Sequence, residues 1–321
     1  MTADAIFLLP AWSAFGRQSL ANDIARTLGR ADRLPPADAG RRAQRARYIE
    51  TLPKRWAPAA VSRQCDAGDA AGAIWLRADP AYVRPDINGV RLLAYGEALA
   101  LTQADADALL PALRPIFGDR GFMLDAPTPT RWYLRLPQGG EWPEFSEPDA
   151  ALGEDMFEHL PQGPAARQWR GLLNEAQIVL HQHEANIARR ERGLPMANAL
   201  WVWGGGALPD RINVAAARVF SDDRIVRDHA QVAGVAEAPL PPRFDAAVSG
   251  GPAGLYDLSH MRDLKILQHE WLQPAILALG ERRIASLVLD AADGTRLRLT
   301  RTQRLRFWRP AWALSVAVSS E

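Results

Sequence analysis

The chain has 321 residues, enough to bury a sizeable core as one large domain or two smaller ones, which excludes a peptide-scale regulator. Its 38 Lys and Arg against 37 Asp and Glu leave a net charge of +1, so no global field favours nucleic acid or an anionic membrane surface. A single cysteine, Cys65, excludes an intrachain disulfide framework and any cysteine-rich zinc or iron–sulfur site.

In chain order, residues 5–9 (AIFLL) read as a first buried strand, and residues 17–29 carry Leu20, Ile24 and Leu28 at helical spacing. The segment ahead of them has no basic n-region, and no later run approaches a membrane span, so the expectation is a soluble cytoplasmic protein. A charged, proline-bounded stretch over 35–58 reads as a surface helix. Within it RRAQRAR, residues 41–47, has arginines suited to phosphate contacts or, more simply, to a solvated helix face. A polar turn, QCDAGDAAG, follows. Residues 73–96 then read as short strands with sharp turns at Pro80, Pro85 and Asn88-Gly89.

Thr102 is a good N-cap for the helix TQADADALLPALRPIF, with acidic residues in its first turn and Leu109, Leu110, Leu113 and Phe117 on one face. FMLDA and RWYLRLP alternate across PTPT as a hairpin. The succession of strands around one helix reads as a small α+β insert over 73–137, followed by a Gly- and Pro-rich linker over 138–164. A long amphipathic helix over 165–193 comes next. His181 and His183, two apart on it, point to different faces and suit capping or packing better than a shared metal.

NALWVWGGGALPD, residues 198–210, places a bulky apolar run before three consecutive glycines, so the glycines are expected at the end of a buried strand. Two readings stay open. Gly204, Gly205 and Gly206 form either a close-packed turn or a set of backbone N–H groups turned, with Asn198, toward an anion. The run lacks GxGxxG spacing and no Lys-Ser or Lys-Thr follows, so neither a dinucleotide nor an ATP site is signalled. Arg77 and Asp79 in LRADP either position such a ligand or form a structural ion pair. Toward the C-terminus, RVFSDDRIVRDHA reads as strand then helix, RDLKILQHEWLQPAILALG as an amphipathic helix, and IASLVLD with TRLRLTR as a hairpin around Asp293-Gly294. Of eleven tryptophans, Trp308 and Trp312 beside RFWRPAW are candidates for a partner surface, the rest for core.

WLRADPAYV, RWYLRLP, NEAQIVLHQH and ANALWVWGGGALP together resemble proteins of the RpfE regulatory type, named for regulation of pathogenicity factors in plant-pathogenic bacteria and often labelled phosphoglycerate mutase-like. The resemblance runs from the first strand to RLRFWRP. It implies an α/β fold of the alkaline phosphatase type: a central, mostly parallel sheet flanked by helices, formed by 1–72 and 138–321, with 73–137 as an inserted α+β subdomain. Cofactor-independent mutases of that superfamily need two divalent ions held by Asp and His ligands and a Ser or Thr nucleophile. Here the first strand leads into LLPAWSAFG, with no carboxylate until Asp23, and the late motifs offer only Asp228-His229 and LDAADG. The expectation is therefore a degenerate site: no catalytic residue, no metal ligand and no cofactor. The protein would regulate by binding an anionic small molecule or a protein partner, with nucleic acid and membrane not expected. A phosphomonoesterase or mutase using Mn or Zn, and a scaffold subunit, are the alternatives.

Overall fold

The computed structural model describes residues 4–87, 89–163, 165–244 and 251–312; Asn88 of the expected Asn88-Gly89 turn lies outside them. The chain forms two compact units, one from residues up to Thr51 together with those from Arg211 onward, the other from Leu52–Asp210.

The first part of the chain gives β1 (Ala5–Leu9), α1 (Asn22–Gly29), β2 (Asp32–Arg33), α2 (Arg41–Ala46) and β3 (Ile49–Leu52). Then follow α3 (Pro58–Ala67), β4 (Ile74–Asp86), β5 (Gly89–Tyr95), α4 (Gln103–Gly118), β6 (Met123–Thr128), β7 (Arg131–Arg135), α5 (Pro148–Ala151), α6 (Ala166–Gln182), α7 (Glu184–Glu191) and β8 (Ala199–Ala207). The chain returns through β9 (Arg211–Val214), β10 (Arg218–Phe220), α8 (Arg224–Val232), β11 (Ala236–Ala238) and β12 (Gly254–Asp257). It closes with α9 (Leu264–Ile266), α10 (Gln273–Gly280), β13 (Ser286–Ala291) and β14 (Arg296–Thr300).

The first unit is built on a seven-stranded sheet of order β11-β10-β12-β1-β13-β14-β2. Every pairing from β11 to β13 is parallel; β14 and β2 run antiparallel. This is the mixed α/β architecture, with a mostly parallel central sheet and flanking helices, that the resemblance implied. All five residues of β1 are buried, as a parallel strand covered on both faces requires. Phe7 at its centre meets Phe244, Tyr256 and Trp271 edge-on, with centroids 5.4, 5.6 and 5.8 Å away. Ile24 and Leu28 of α1 and Leu272, Ala275 and Ala278 around α10 belong to the same core.

The second unit is an antiparallel sheet of order β5-β4-β7-β6, with β8 also pairing β4. Leu109, Leu113 and Phe117 of α4 and Trp169, Leu172 and Leu180 of α6 pack in one core with Leu200 and Val202 of β8. The capping box is present as Thr102 and Asp105 each bond the other's backbone. This unit is wider than the 73–137 insert read from sequence. Residues 138–210 join it because β8 pairs β4 from Ile74↔Ala207 to Ala81↔Ala199, a partnership that hydrophobic periodicity does not report.

Three local readings change. Residues 74–86 are one strand rather than two. Pro80 falls between the β7 pairing, which ends at Arg77, and the β5 pairing, which begins at Ala81, so its missing N–H breaks no ladder bond on that edge. Only the second part of QCDAGDAAG is a turn: α3 runs through its first four residues to Ala67 and ends at Gly68 in the left-handed conformation. His183 breaks the long helix between α6 and α7 and caps the second, its Nδ1 accepting from the Ala185 amide at 3.2 Å. No helix among the described residues is long and apolar enough to cross a membrane.

Candidate functional site

In an open parallel sheet, ligands gather at the carboxyl ends of the strands, where the chain leaves the sheet and strand-end side chains converge. In the first unit these ends are Leu9, Asp257, Asp290 and Phe220-Ser221, aligned by the registers Leu8↔Asp257, Leu8↔Asp290 and Phe220↔Tyr256. Two apolar strands thus carry a buried aspartate at their carboxyl ends, Asp257 as the last residue of β12 and Asp290 as the last but one of β13.

Helix α2 supplies the groups that meet them. The solvated face expected for RRAQRAR is corrected here: Gln44 and Arg45 are buried, because they reach the strand ends rather than water. Gln44 Nε2 donates to the Leu9 carbonyl at 2.9 Å and to the Asp290 carbonyl at 2.5 Å, closing the space beyond β1. Arg47 grips Asp290 with two donors, Nη2 to Oδ1 at 2.6 Å and Nε to Oδ2 at 3.0 Å. Tyr48 donates its hydroxyl to Asp290 Oδ2 at 2.8 Å, and Arg296 Nε lies 3.2 Å from that oxygen. Burial, then the neighbouring Asp290 charge, push the Tyr48 phenol far above its ordinary range, so it stays a donor.

The other carboxylates are engaged in the same way. Asp257 accepts from Ser221 Oγ at 2.9 Å and from the amide and hydroxyl of Ser259 at 3.1 and 2.6 Å. Asp223 caps α8 by accepting from the Ile225 amide at 2.9 Å, pairs with Arg45 and lies 3.6 Å from Arg41. Burial pushes the Asp223 carboxyl up, but Arg45, the Ile225 amide and Arg41 together hold it below the usual range. His229 Nδ1 lies 2.7 Å from the Ile225 carbonyl and must carry the proton to bond it; burial pulls this imidazole down to about 4. His260 Nε2 lies 2.9 Å from Arg41 Nη2 and, facing a group that only donates, accepts.

Two divalent ions need several carboxylate and imidazole lone pairs directed at a common point. The donor set does not fit them. Both oxygens of Asp290, Asp257 and Asp223 are engaged by protein donors, and no group of three or more His, Cys, Asp or Glu among the described residues is placed to share an ion. What this edge presents outward is cationic: Arg41 is about one-third exposed and Arg42 is exposed.

The residues singled out by sequence lie elsewhere. Gly204, Gly205 and Gly206 do not follow the strand; β8 continues through them to Ala207 and pairs β4 across a bulge between Trp75 and Arg77. A side chain at Gly205 would meet Leu76 Cδ2 at 2.4 Å and Trp142 Nε1 at 2.7 Å, and one at Gly206 would meet Ala57 Cβ at 2.6 Å. Gly204, with φ +70°, lies under Pro58 at the start of α3. The glycines therefore let helix and strand approach closely.

Asn198 ties β8 to β4, its Oδ1 accepting from the Val83 amide at 2.9 Å and its Nδ2 donating to the Val83 carbonyl at 2.8 Å. Arg77 and Asp79 form a buried pair with bonds of 2.9 and 2.7 Å. Trp203 Nε1 completes Asp79 at 2.8 Å, and the Arg77 guanidinium lies over the Tyr133 and Trp203 rings. Burial raises the Asp79 carboxyl against the pull of Arg77 and Trp203. Trp308 is 69 % exposed beside Phe307, whereas Trp312 packs on Trp12 and takes Arg33 over its ring, so the structure separates the two.

No family model matches the chain. Over 109 residues, 34% of its length, it is 28% identical to a probable 2,3-bisphosphoglycerate-independent phosphoglycerate mutase of Geobacter sulfurreducens, covering 27% of that protein. Over 66 residues, 21% of its length, it is 36% identical to the 2,3-bisphosphoglycerate-independent phosphoglycerate mutase of Methanosarcina barkeri, covering 17% of it. These segments are homologous to the mutases, but they span well under a third of the relatives' length. A solved cofactor-independent phosphoglycerate mutase from Thermoplasma acidophilum DSM 1728 aligns with 94% of this chain and 90% of its own, at 13% identity and a TM-score of 0.45.

Proposed function

We propose that the chain is a catalytically degenerate, mutase-related regulatory protein of the RpfE type, acting in the cytoplasm by binding an anionic metabolite or a protein partner rather than by turning over a phosphoester. The observation that carries this reading is the filling of the sheet's carboxyl end by α2. Arg47 and Arg45 occupy Asp290 and Asp223, the carboxylates a divalent ion would need. A guanidinium is charged at every physiological pH and does not yield its place by deprotonation. The exposed Phe307 and Trp308 support a partner-facing surface.

The competing reading is a metal-dependent phosphomonoesterase or phosphoglycerate mutase-like enzyme, favoured by the segments shared with mutases. Such an enzyme must swing Arg45 and Arg47 aside to admit Mn or Zn. Elemental mass spectrometry of protein loaded with Mn and Zn and then desalted separates the two. Retention of about two ions per chain would sink the degenerate reading; no retained ion, with no conversion of 3-phosphoglycerate to 2-phosphoglycerate and no release of phosphate from p-nitrophenyl phosphate, is the expected result.

A further inference from the structure

A separate cavity in the Leu52–Asp210 unit carries a binding chemistry that the sheet end does not. It is a cleft of about 170 Å³, open to solvent on one side, between α6, β8 and the segment 145–161. Its apolar surface comes from Phe145, Phe157, Leu173 and Trp201. Trp201 is not available for polar contact, because its Nε1 donates to the Ser146 carbonyl at 2.9 Å and so pins that segment to the strand.

The polar lining differs from every other polar cluster in the molecule described above. Arg170, Asn174 and Gln177, with Leu173 between them, recur three and four residues apart on α6 and so share one helix face. They and His159 line the cavity without a hydrogen bond, ion pair or ring contact to any described residue. No Asp or Glu lines it, and Arg170 is its one permanently charged group.

We infer that this cavity binds a small monocarboxylate with a compact apolar body. Size sets the body: an apolar space of about 150 Å³ accepts benzene, so this cleft holds a single ring or a chain of about six carbons, with the charged head at its open side. Charge sets the head: one planar guanidinium fork matches a carboxylate with two parallel bonds, while a phosphate dianion would lack its second counter-charge. His159, Asn174 and Gln177 supply further donors around the same head. The inference does not rest on the reading of the sheet end, and metal retention there has no bearing on it.

Calorimetric titration of the full chain with benzoate, hexanoate and benzyl alcohol tests this. We expect one saturable site for at least one of the two carboxylates, with benzyl alcohol about tenfold weaker or worse. Arg170→Ala should weaken the carboxylate about tenfold or more, as loss of a charge-assisted bond implies, and Arg170→Lys should restore part of it. Arg170 is exposed, so the variant keeps its fold, checked by circular dichroism. Leu173→Trp, which fills the cavity, should abolish binding. No saturable site for either carboxylate up to about 10 mM, a range generous for so small a ligand, would overturn the proposal. So would equal affinity for benzyl alcohol, or binding unchanged by Arg170→Ala.

Discussion

The carboxyl end of the parallel sheet and the cavity beside β8 are both lined by polar side chains, yet their polar groups are in opposite states. At the sheet end Asp290 alone receives Arg47, Tyr48 and Arg296, and Asp257 receives two serines. At the cavity, Arg170, His159, Asn174 and Gln177 receive nothing from the described chain. A side chain that is already satisfied inside the protein must leave a buried partner unpaired before it can gain a ligand, so it contributes little net affinity; one that meets only water exchanges water for the ligand and leaves no buried group unpaired. Location at a favoured place in the fold is therefore a weaker indicator of binding than hydrogen-bonding capacity still open.

The largest effect should come from breaking the sheet-end network. Arg47→Ala leaves Asp290, fully buried, with one cation fewer, and should cost about 3 kcal/mol in urea unfolding. Replacing the pair together, Arg47→Met with Asp290→Leu, should recover only part of that loss, since apolar residues commonly match a buried ion pair but Tyr48 and Arg296 lose Asp290 as well. If the double variant is as unstable as the single, the network holds more than its own charges.

His229 sharpens the comparison through pH. Its folded pKa, about 4, lies below the ordinary 6.5, so between those values the unfolded chain binds the extra proton. Its contribution is fully present above pH 6.5 and declines as pH falls toward 4, by about 3 kcal/mol in all. Asp223, held low, loses its contribution only below its ordinary 3.8, so the two acid steps are separate. Unfolding free energies at pH 7, 5.5 and 4.5 should fall in the native chain and flatten in His229→Gln; a native profile flat over that range would refute the assignment. Smaller again is Gly205→Ala. Its added methyl collides with the buried Leu76 and with Trp142, so overpacking of about 1–3 kcal/mol should appear as a lower midpoint.

Much of the fold was legible in the sequence because its signals are local. The apolar run of β1, the Thr102–Asp105 cap and the Asp293-Gly294 hairpin each depend on neighbours a few residues away. The pairing of β4 with β8 was not, since it joins segments more than a hundred residues apart. At the sheet end, the apolar strand in IASLVLD was legible from its own residues, but the second strand, GLYD, and the arginines that answer the aspartates were not. RRAQRAR has the composition of a solvated face, and only its packing makes Gln44 and Arg45 interior. The glycine run drew the eye as a turn because consecutive glycines usually end a strand; here the closeness of Pro58, Ala57 and Trp142 demands them inside one. The cavity left no signal, because lacking a partner is a property of three-dimensional surroundings.

Arg170→Ala should have the smallest effect on stability and the most telling one on the comparison. Arg170 is exposed and bonded to nothing in the described chain, so removing it should shift unfolding by no more than about 0.5 kcal/mol, as for surface positions in general. Arg47→Ala should do the reverse, lowering stability while leaving carboxylate binding at the cavity unchanged in protein that remains folded. Measured side by side, the two variants form a double dissociation: one arginine holds the fold and the other holds a ligand. If Arg170→Ala instead destabilised the chain by 2 kcal/mol or so, a magnitude reserved for side chains with internal partners, Arg170 would be a structural cation and the contrast between the two regions would collapse.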